Sequence, residues 1–157
     1  MSINLPELRK RTISLNEYVE SLEQPFKERF LSRKQTYTLN EQAVNRLREV
    51  ADKYVIIVFS TQWCKDCTTN VPVLALLAEA TGIEVRIFGG LKKDPLSHTR
   101  KWRIPPSPPE VETFNVDKIP VIIIAAKEGM EIGRIVENPK PVHTLEEEVY
   151  EIIASQQ

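Results

Sequence analysis

Runs of apolar residues along the chain predict the strands of a central sheet. Residues 54–59 and 121–126 are apolar throughout and rich in β-branched side chains, a pattern typical of strands buried on both faces. Residues 83–88 and 131–136 mix apolar and polar positions and predict two more strands. Because residues 127–129 form a short link that contains a glycine, we expect the third and fourth strands to pair as a hairpin.

Capping signals and helical spacing predict the helices. Three capping boxes, in which Ser or Thr is followed three residues later by Glu, mark helix starts at Ser14, Thr38 and Thr144. The first helix is expected to begin near Leu15 and to break or kink at Pro25, and the polar residues 32–37 predict a connection. The second helix is expected to run to about Lys53 and the last to about Ser155.

The order of these elements predicts an α/β fold. A helix from about Lys65 to Thr81, ended by Gly82, connects the first two strands, which are therefore expected to be parallel through a right-handed crossover. A short helix over 95–103 and a proline cluster over 105–109 precede the third strand. We therefore expect a mixed central sheet of about four strands, flanked by helices on both faces.

Composition and charge narrow the functional classes. The chain has 157 residues, of which 41% are hydrophobic and 27% charged, and this fits one globular domain with a small appendage. A net charge of -1 does not match the basic footprint of a nucleic-acid binder. The apolar runs are too short to cross a membrane, and residues 1–10 lack the apolar core of a signal peptide. We therefore expect a cytoplasmic protein that binds neither membrane nor nucleic acid.

The candidate chemistry lies in the segment Trp63-Cys64-Lys65-Asp66-Cys67, which holds the only two cysteines of the chain. A C-x-x-C pair that follows a buried strand and opens a helix is typical of a reversible dithiol. The start of a helix carries partial positive charge and has free backbone N–H groups, and both favour a thiolate at Cys64. A thiolate is the species that attacks a disulfide, so the pattern indicates thiol–disulfide exchange.

Two other interpretations of the cysteine pair stay open at this point. Inert buried cysteines are common as small hydrophobic residues, but a pair flanked by Trp, Lys and Asp does not resemble a core. A structural zinc site needs four ligands, and one C-x-x-C supplies two. His98 and His143 are the only histidines and neither has zinc-finger spacing, so we predict no metal site.

Four features of this sequence, in order along the chain, resemble the thioredoxin superfamily. They are the active-site motif Trp63-Cys64-x-x-Cys67, the helix-kinking Pro72, the cis-proline pair Ile119-Pro120 and the hairpin glycine Gly129. The resemblance covers about residues 40–155 and implies a thioredoxin-like domain, 38–157, after a helical N-terminal extension, 1–37. The Trp-Cys-x-Asp-Cys site and the extension are also similar to stand-alone thioredoxin-like proteins of bacteria and archaea.

The resemblance implies a role for each residue of the site. Cys64 is the nucleophile that forms a mixed disulfide with a partner, and Cys67 is the resolving thiol that releases the partner. Trp63 and the backbone of Ile119, placed by a cis Pro120, form the surface that binds an extended substrate segment. The alternatives are an ordinary core aromatic at Trp63 and a trans proline that opens a strand at Pro120.

Residues around the cysteines are expected to tune them. Lys65 favours the thiolate of Cys64 and Asp66 opposes it, unless both charges simply belong to a solvated helix start, and Pro72 is expected to be structural. Thioredoxins bury an aspartate six residues before the nucleophile for proton transfer, and this chain has Val58 there. Water and Asp66 are the candidate proton carriers that the sequence leaves.

Two segments outside the motif are interpreted by their position. The N-terminal extension has an amphipathic pattern, so it is expected to pack on the domain or to form a homodimer contact. Residues 104–109, together with Trp102, lead into the cis-proline loop. They are expected to shape partner choice as an extended polyproline-type segment, or else to pack on the surface as a local excursion.

These observations predict a thiol–disulfide oxidoreductase that reduces protein disulfides through the Cys64/Cys67 dithiol. It needs no bound cofactor, and its electrons are expected to come from a thioredoxin-reductase-like protein or a low-molecular-weight thiol. One alternative is a redox-silent binding module on the same fold. The other is a disulfide oxidant or isomerase, which needs a higher reduction potential.

Overall fold

A five-stranded mixed sheet forms the centre of the protein in the computed structural model, which describes residues 2–91, residue 96 and residues 107–156. The strands are β1 (Ile13–Ser14), β2 (Tyr54–Phe59), β3 (Glu84–Phe88), β4 (Val121–Ala126) and β5 (Glu131–Val136). Their order in the sheet is β1-β3-β2-β4-β5. β2 is parallel to β3 and antiparallel to β4, and β4 pairs with β5 as the predicted hairpin. The predicted α/β fold with a mixed central sheet is confirmed.

The described part of the chain contains seven α-helices. They are α1 (Leu5–Arg11), α2 (Leu15–Ser21), α3 (Phe26–Thr36), α4 (Glu41–Val50), α5 (Lys65–Thr81), α6 (Glu110–Thr113) and α7 (Leu145–Ala154). A 3₁₀ turn, Ala51–Lys53, connects α4 to β2. α5 packs against α3, α4 and α7, while α6 leads into Phe114, whose ring contacts those of Phe59 and Phe88. None of these helices combines the length and apolar character of a membrane span.

The sheet has one strand more than the pattern predicted. β1 consists of two residues that pair antiparallel with β3, Ile13 opposite Ile87 and Ser14 opposite Arg86. Two residues are too few to show any periodicity, so the strand exists only through its pairing with β3. This pairing makes the N-terminal extension part of the central sheet.

The N-terminal extension holds three helices, where the sequence pattern predicted one that breaks or kinks. Pro25 separates α2 from α3 and occupies the N-cap position of α3. The prediction of a connection over residues 32–37 was wrong, because α3 continues to Thr36. Only Phe30 of this helix is buried, so its polar surface conceals the helical period.

Two of the three predicted capping boxes are confirmed. Ser14 and Thr144 begin α2 and α7, each with both reciprocal hydrogen bonds of the box. Thr38 does not cap α4; the cap is Asn40, whose side chain accepts a hydrogen bond from the first turn. The backbone N–H of Asn40 donates to the buried carboxylate of Glu146 in α7, so a tertiary contact also holds the start of α4.

Some predictions concern residues that lie outside the described part of the chain. These are the short helix over 95–103, the ring of Trp102, His98 and the first half of the 104–109 segment. Residues 107–109 are described and lead directly into α6, with Pro109 at its N-cap position.

Gly129 joins the last hairpin to the N-terminal segment. Its φ is +110°, in the left-handed region, and its carbonyl oxygen accepts a 2.6 Å hydrogen bond from the N–H of Ile3. A Cβ atom at this position would collide with the carbonyl oxygen of Ile3. Both the backbone conformation and the available space therefore require glycine.

We expect Gly129→Ala to lower the free energy of unfolding by about 2 kcal/mol or more, because left-handed strain and the collision with Ile3 add together. Gly82→Ala is the matched control: its φ is +80° and a Cβ there would meet no atom within 4 Å. The control should lose only about 1 kcal/mol. Urea unfolding of both variants measures the difference, and equal losses would contradict the contact with Ile3.

Candidate active site

The two cysteines lie where β2 has ended and α5 begins. Cys64 is the N-cap residue of α5, and its Sγ accepts a hydrogen bond from the N–H of Cys67 at 3.2 Å. Cys64 is partly exposed, whereas Cys67 is only 2% exposed, and both are free thiols. One sulfur therefore reaches the surface while the other lies beneath it, one helical turn further on.

The surroundings shift the acidity of the two thiols in opposite directions. The hydrogen bond from the Cys67 thiol, together with the backbone N–H groups of Cys67 and Asp66, lowers the pKa of Cys64. Partial burial and the Asp66 carboxylate oppose this lowering of the Cys64 pKa. Burial, and then the hydrogen bond to Cys64, raises the pKa of Cys67 far above its ordinary value. Cys64 is thus the thiol that ionises first.

The loop before β4 faces Cys64. The Ile119–Pro120 peptide bond is cis, as the family resemblance implies, and the Cys64 thiol donates to the carbonyl oxygen of Ile119 at 3.8 Å. The carbonyl oxygen of Pro120 accepts a 2.8 Å hydrogen bond from the N–H of Glu137, which ties this loop to the end of β5. The backbone of Ile119 is therefore adjacent to the more acidic sulfur.

The other predicted site residues surround the cysteine pair. Trp63 is 50% exposed, so it is not a core aromatic residue. Lys65 is exposed and Asp66 is partly exposed in the first turn of α5, where Asp66 acts on the pKa of Cys64. Pro72 is buried inside α5.

A groove of about 580 Å³ opens beside Trp63. Residues from α1, α2, β1 and β3 and from the loops after α2, β2 and β3 line it. The lining includes Ile13, Tyr18, Leu22, Trp63, Ile87 and Leu91. The N-terminal extension therefore contributes one wall of a groove beside Trp63, the residue that precedes Cys64.

Two hydroxyl groups that the sequence analysis missed lie beneath the cysteines. The Ser60 hydroxyl acts on the buried Cys67 thiol, whose pKa it lowers, and Tyr18 Oη is 2.9 Å from Ser60 Oγ. Ser60 is fully buried and Tyr18 is 5% exposed, while Val58 is buried in β2 with no acid at its position. In the sequence, only the position of Ser60 directly after an apolar strand could have indicated its place in the site. Tyr18 gave no such signal, because it belongs to a helix that is distant along the chain.

Asn70 connects the start of α5 to the turn after β5, and this residue was also missed. Its buried side-chain amide donates to the carbonyl oxygens of Asp66 and Glu137, at 2.9 and 2.8 Å, and to Oδ1 of Asn138 at 2.9 Å. The first turn of α5 is thereby attached to the same turn that holds the Pro120 loop. A single polar residue inside a helix gives no sequence signal for such a contact.

The described residues offer no cluster of three or more His, Cys, Asp and Glu side chains that could hold a metal ion. His143 instead lies 3.2 Å from Glu148 Oε1, through its Nδ1. His98 falls outside the described residues.

Comparison with known proteins identifies the family. A family model described as Thioredoxin matches residues 12–150, which include both cysteines and most of the N-terminal extension. The crystal structure of PA1234, a Pseudomonas aeruginosa protein of unknown function, is 19% identical with a TM-score of 0.75 and full coverage of both chains (100% of each). A crystallised HIV epitope scaffold is 18% identical with a TM-score of 0.73, over 96% of this chain and 97% of the scaffold.

These two structures support the fold alone, and comparison with curated proteins gives no match. The family model covers far more than half of the chain. It spans β1 to β5 and includes the Cys64–Cys67 pair at the start of α5. The chain therefore belongs to the thioredoxin family.

Proposed function

We propose that the protein is a thiol–disulfide oxidoreductase that reduces disulfide bonds in protein partners. The observation that carries this proposal is the asymmetry of the cysteine pair. Cys64 is accessible and has a lowered pKa, whereas Cys67 is buried and has a raised pKa. An accessible sulfur that ionises easily, with a second thiol within reach, is what a dithiol reductase needs.

The reaction consists of two exchanges. The Cys64 thiolate attacks one sulfur of the partner disulfide, an S–S bond to Cys64 forms, and the other partner sulfur leaves and takes a proton from solvent. Cys67 then loses its proton and attacks Cys64, so the mixed disulfide breaks and the partner leaves fully reduced. Two electrons have passed to the partner, and the protein retains a Cys64–Cys67 disulfide.

External electrons must then restore the dithiol. A thioredoxin-reductase-like protein or a low-molecular-weight thiol is the class of donor that this chemistry requires, and the cycle uses no bound cofactor. The exposed ring of Trp63 and the backbone of Ile119, on either side of Cys64, are suited to an extended segment of the partner.

The reduction potential of the Cys64–Cys67 pair tests the proposal. Equilibration in graded dithiol and disulfide buffers should give about −230 mV or lower, the range of cellular disulfide reductases. A value of about −180 to −120 mV would identify a disulfide oxidant or isomerase instead. Failure to form an intramolecular disulfide would leave the redox-silent binding module.

Cys64→Ser and Cys67→Ser should fail at different steps. Cys64→Ser is expected to reduce a model protein disulfide no faster than buffer does, because the nucleophile is lost. Cys67→Ser should still attack through Cys64 but stop at the mixed disulfide, which mass spectrometry detects. Turnover by either variant at the parent rate would contradict the assigned roles.

Alkylation of Cys64 by iodoacetamide should depend on pH in a way that reflects its lowered pKa. The rate should reach its plateau at lower pH than for an ordinary cysteine, whose pKa is about 8.5. Asp66→Asn should move the midpoint lower still, because the Asp66 carboxylate raises the pKa of Cys64. The matched control, Asp52→Asn, lies before the opposite end of β2 and should leave the midpoint unchanged. An unmoved midpoint in Asp66→Asn would contradict this electrostatic effect.

A further inference from the structure

We propose that the hydroxyl groups of Ser60 and Tyr18 serve the resolving step, in which Cys67 attacks the mixed disulfide. Ser60 is assigned as the residue that acts on the Cys67 sulfur, and Tyr18 as a positioning residue that acts through Ser60. This inference rests on the proposed function. It identifies the groups that stand in for the buried acid absent at Val58.

The resolving step creates a charge where the protein disfavours one. Cys67 is 2% exposed, and it must lose its proton to become the attacking thiolate. An anion that is removed from water is costly unless hydrogen bonds compensate for the lost hydration. A donor aimed at the Cys67 sulfur therefore has a direct effect on the rate of this step.

Ser60 and Tyr18 form a chain of hydroxyl groups that ends on that sulfur. Tyr18 Oη lies 2.9 Å from Ser60 Oγ, Tyr18 and Cys67 line the same small cavity, and the Ser60 hydroxyl lowers the pKa of Cys67. A hydroxyl group donates or accepts according to its rotation, so the direction of the chain can reverse. Once Cys67 is a thiolate, Ser60 donates to the sulfur and accepts from Tyr18, and each hydrogen bond strengthens the next.

Packing holds both hydroxyl groups in position. The N–H of Ser60 donates to the carbonyl oxygen of Phe88 at 3.1 Å, directly after the last pair of β2 and β3. The ring of Tyr18 packs against that of Phe30, with 6.4 Å between centroids, and lies against Gly89. Tyr18 belongs to α2, so the N-terminal extension supplies part of the active site.

Every proton that moves in the resolving step has a donor and an acceptor. The S–H bond of Cys67 breaks as its proton passes to Ser60, the Ser60 proton passes to Tyr18, and the Tyr18 proton passes to solvent in the groove that Tyr18 lines. The Cys67–Cys64 bond then forms, the bond from Cys64 to the partner breaks, and the partner thiolate takes a proton from solvent. Both hydroxyl groups are neutral before and after.

Among the residues that the structure describes, the side chains that line the cavity at Cys67 include no carboxylate. α3 presents the rings of Phe26 and Phe30, and the turn after β2 adds the uncharged Thr61 and Gln62. In the first turn of α5, the charged Lys65 is exposed and Asp66 is partly exposed. Cys64, the titratable neighbour of Cys67 in the dithiol, is occupied in the mixed disulfide. Arg33, a charged residue of α3, donates to the carbonyl oxygen of Thr69.

Stopped-flow reaction with one equivalent of dithionitrobenzoate separates the two attacks. The first coloured thiol released reports attack by Cys64, and the second reports attack by Cys67. Ser60→Ala should slow the second phase about tenfold, and Tyr18→Phe should slow it several-fold. These are the rate losses expected when a hydrogen bond that stabilises the Cys67 thiolate is removed or weakened. Both substitutions should also move the pH midpoint of the second phase upward. The first phase should keep the parent rate, and this unchanged rate shows that the variants are folded.

Tyr37→Phe is the matched control, because it removes a hydroxyl group that donates to Glu146 at 2.8 Å, in a different network. It should leave both phases unchanged. The inference is overturned if Ser60→Ala and Tyr18→Phe keep the parent second-phase rate and midpoint, or if Tyr37→Phe slows that phase equally. Absence of a second phase in the unsubstituted protein would overturn the proposed function itself.

Discussion

The hydrogen bond from the N–H of Cys67 to the sulfur of Cys64 is the contact on which the site depends. It forms because Cys64 takes the N-cap position of α5, where the first backbone donors have no partner within the helix. This hydrogen bond acts with the larger effect of the Cys67 thiol to lower the pKa of Cys64, while burial raises the pKa of Cys67. The nucleophile is therefore defined at the start of α5, and the need for help in the resolving step comes from the burial of Cys67.

The N-terminal extension belongs to the same core as the rest of the fold. Leu8, Leu15 and Tyr18 are buried in one hydrophobic cluster with β2, and β1 adds the extension to the sheet edge beside β3. The family match likewise begins at residue 12. The extension thus contributes a strand, a groove wall and the Tyr18 hydroxyl group beneath the cysteines. This hydroxyl group lies near a dithiol that has Val58 at the position of the family's buried acid.

The elements that the sequence predicted well are those with a long local pattern. β2, β4 and α5 are runs whose apolar positions and end signals lie within one stretch of chain, and their bounds agree with the prediction. Two features that the prediction missed have distant partners. β1 exists only through its pairing with β3, and Asn40 at the start of α4 also donates its N–H to the carboxylate of Glu146. The predicted end of α3 came too early along the chain, because most of the helix surface is polar and hides the helical period.

The sequence by itself determined the dithiol and its place on the fold, because Cys64, Cys67 and the start of α5 are neighbours along the chain and their chemistry is local. Only the tertiary structure decided what surrounds the buried sulfur. Tyr18 and Ser60 are 42 positions apart, and they meet beneath Cys67 because α2 packs against the end of β3, next to β2. A hydrogen bond between such distant residues leaves no pattern in the sequence, since it depends on the packing of whole elements.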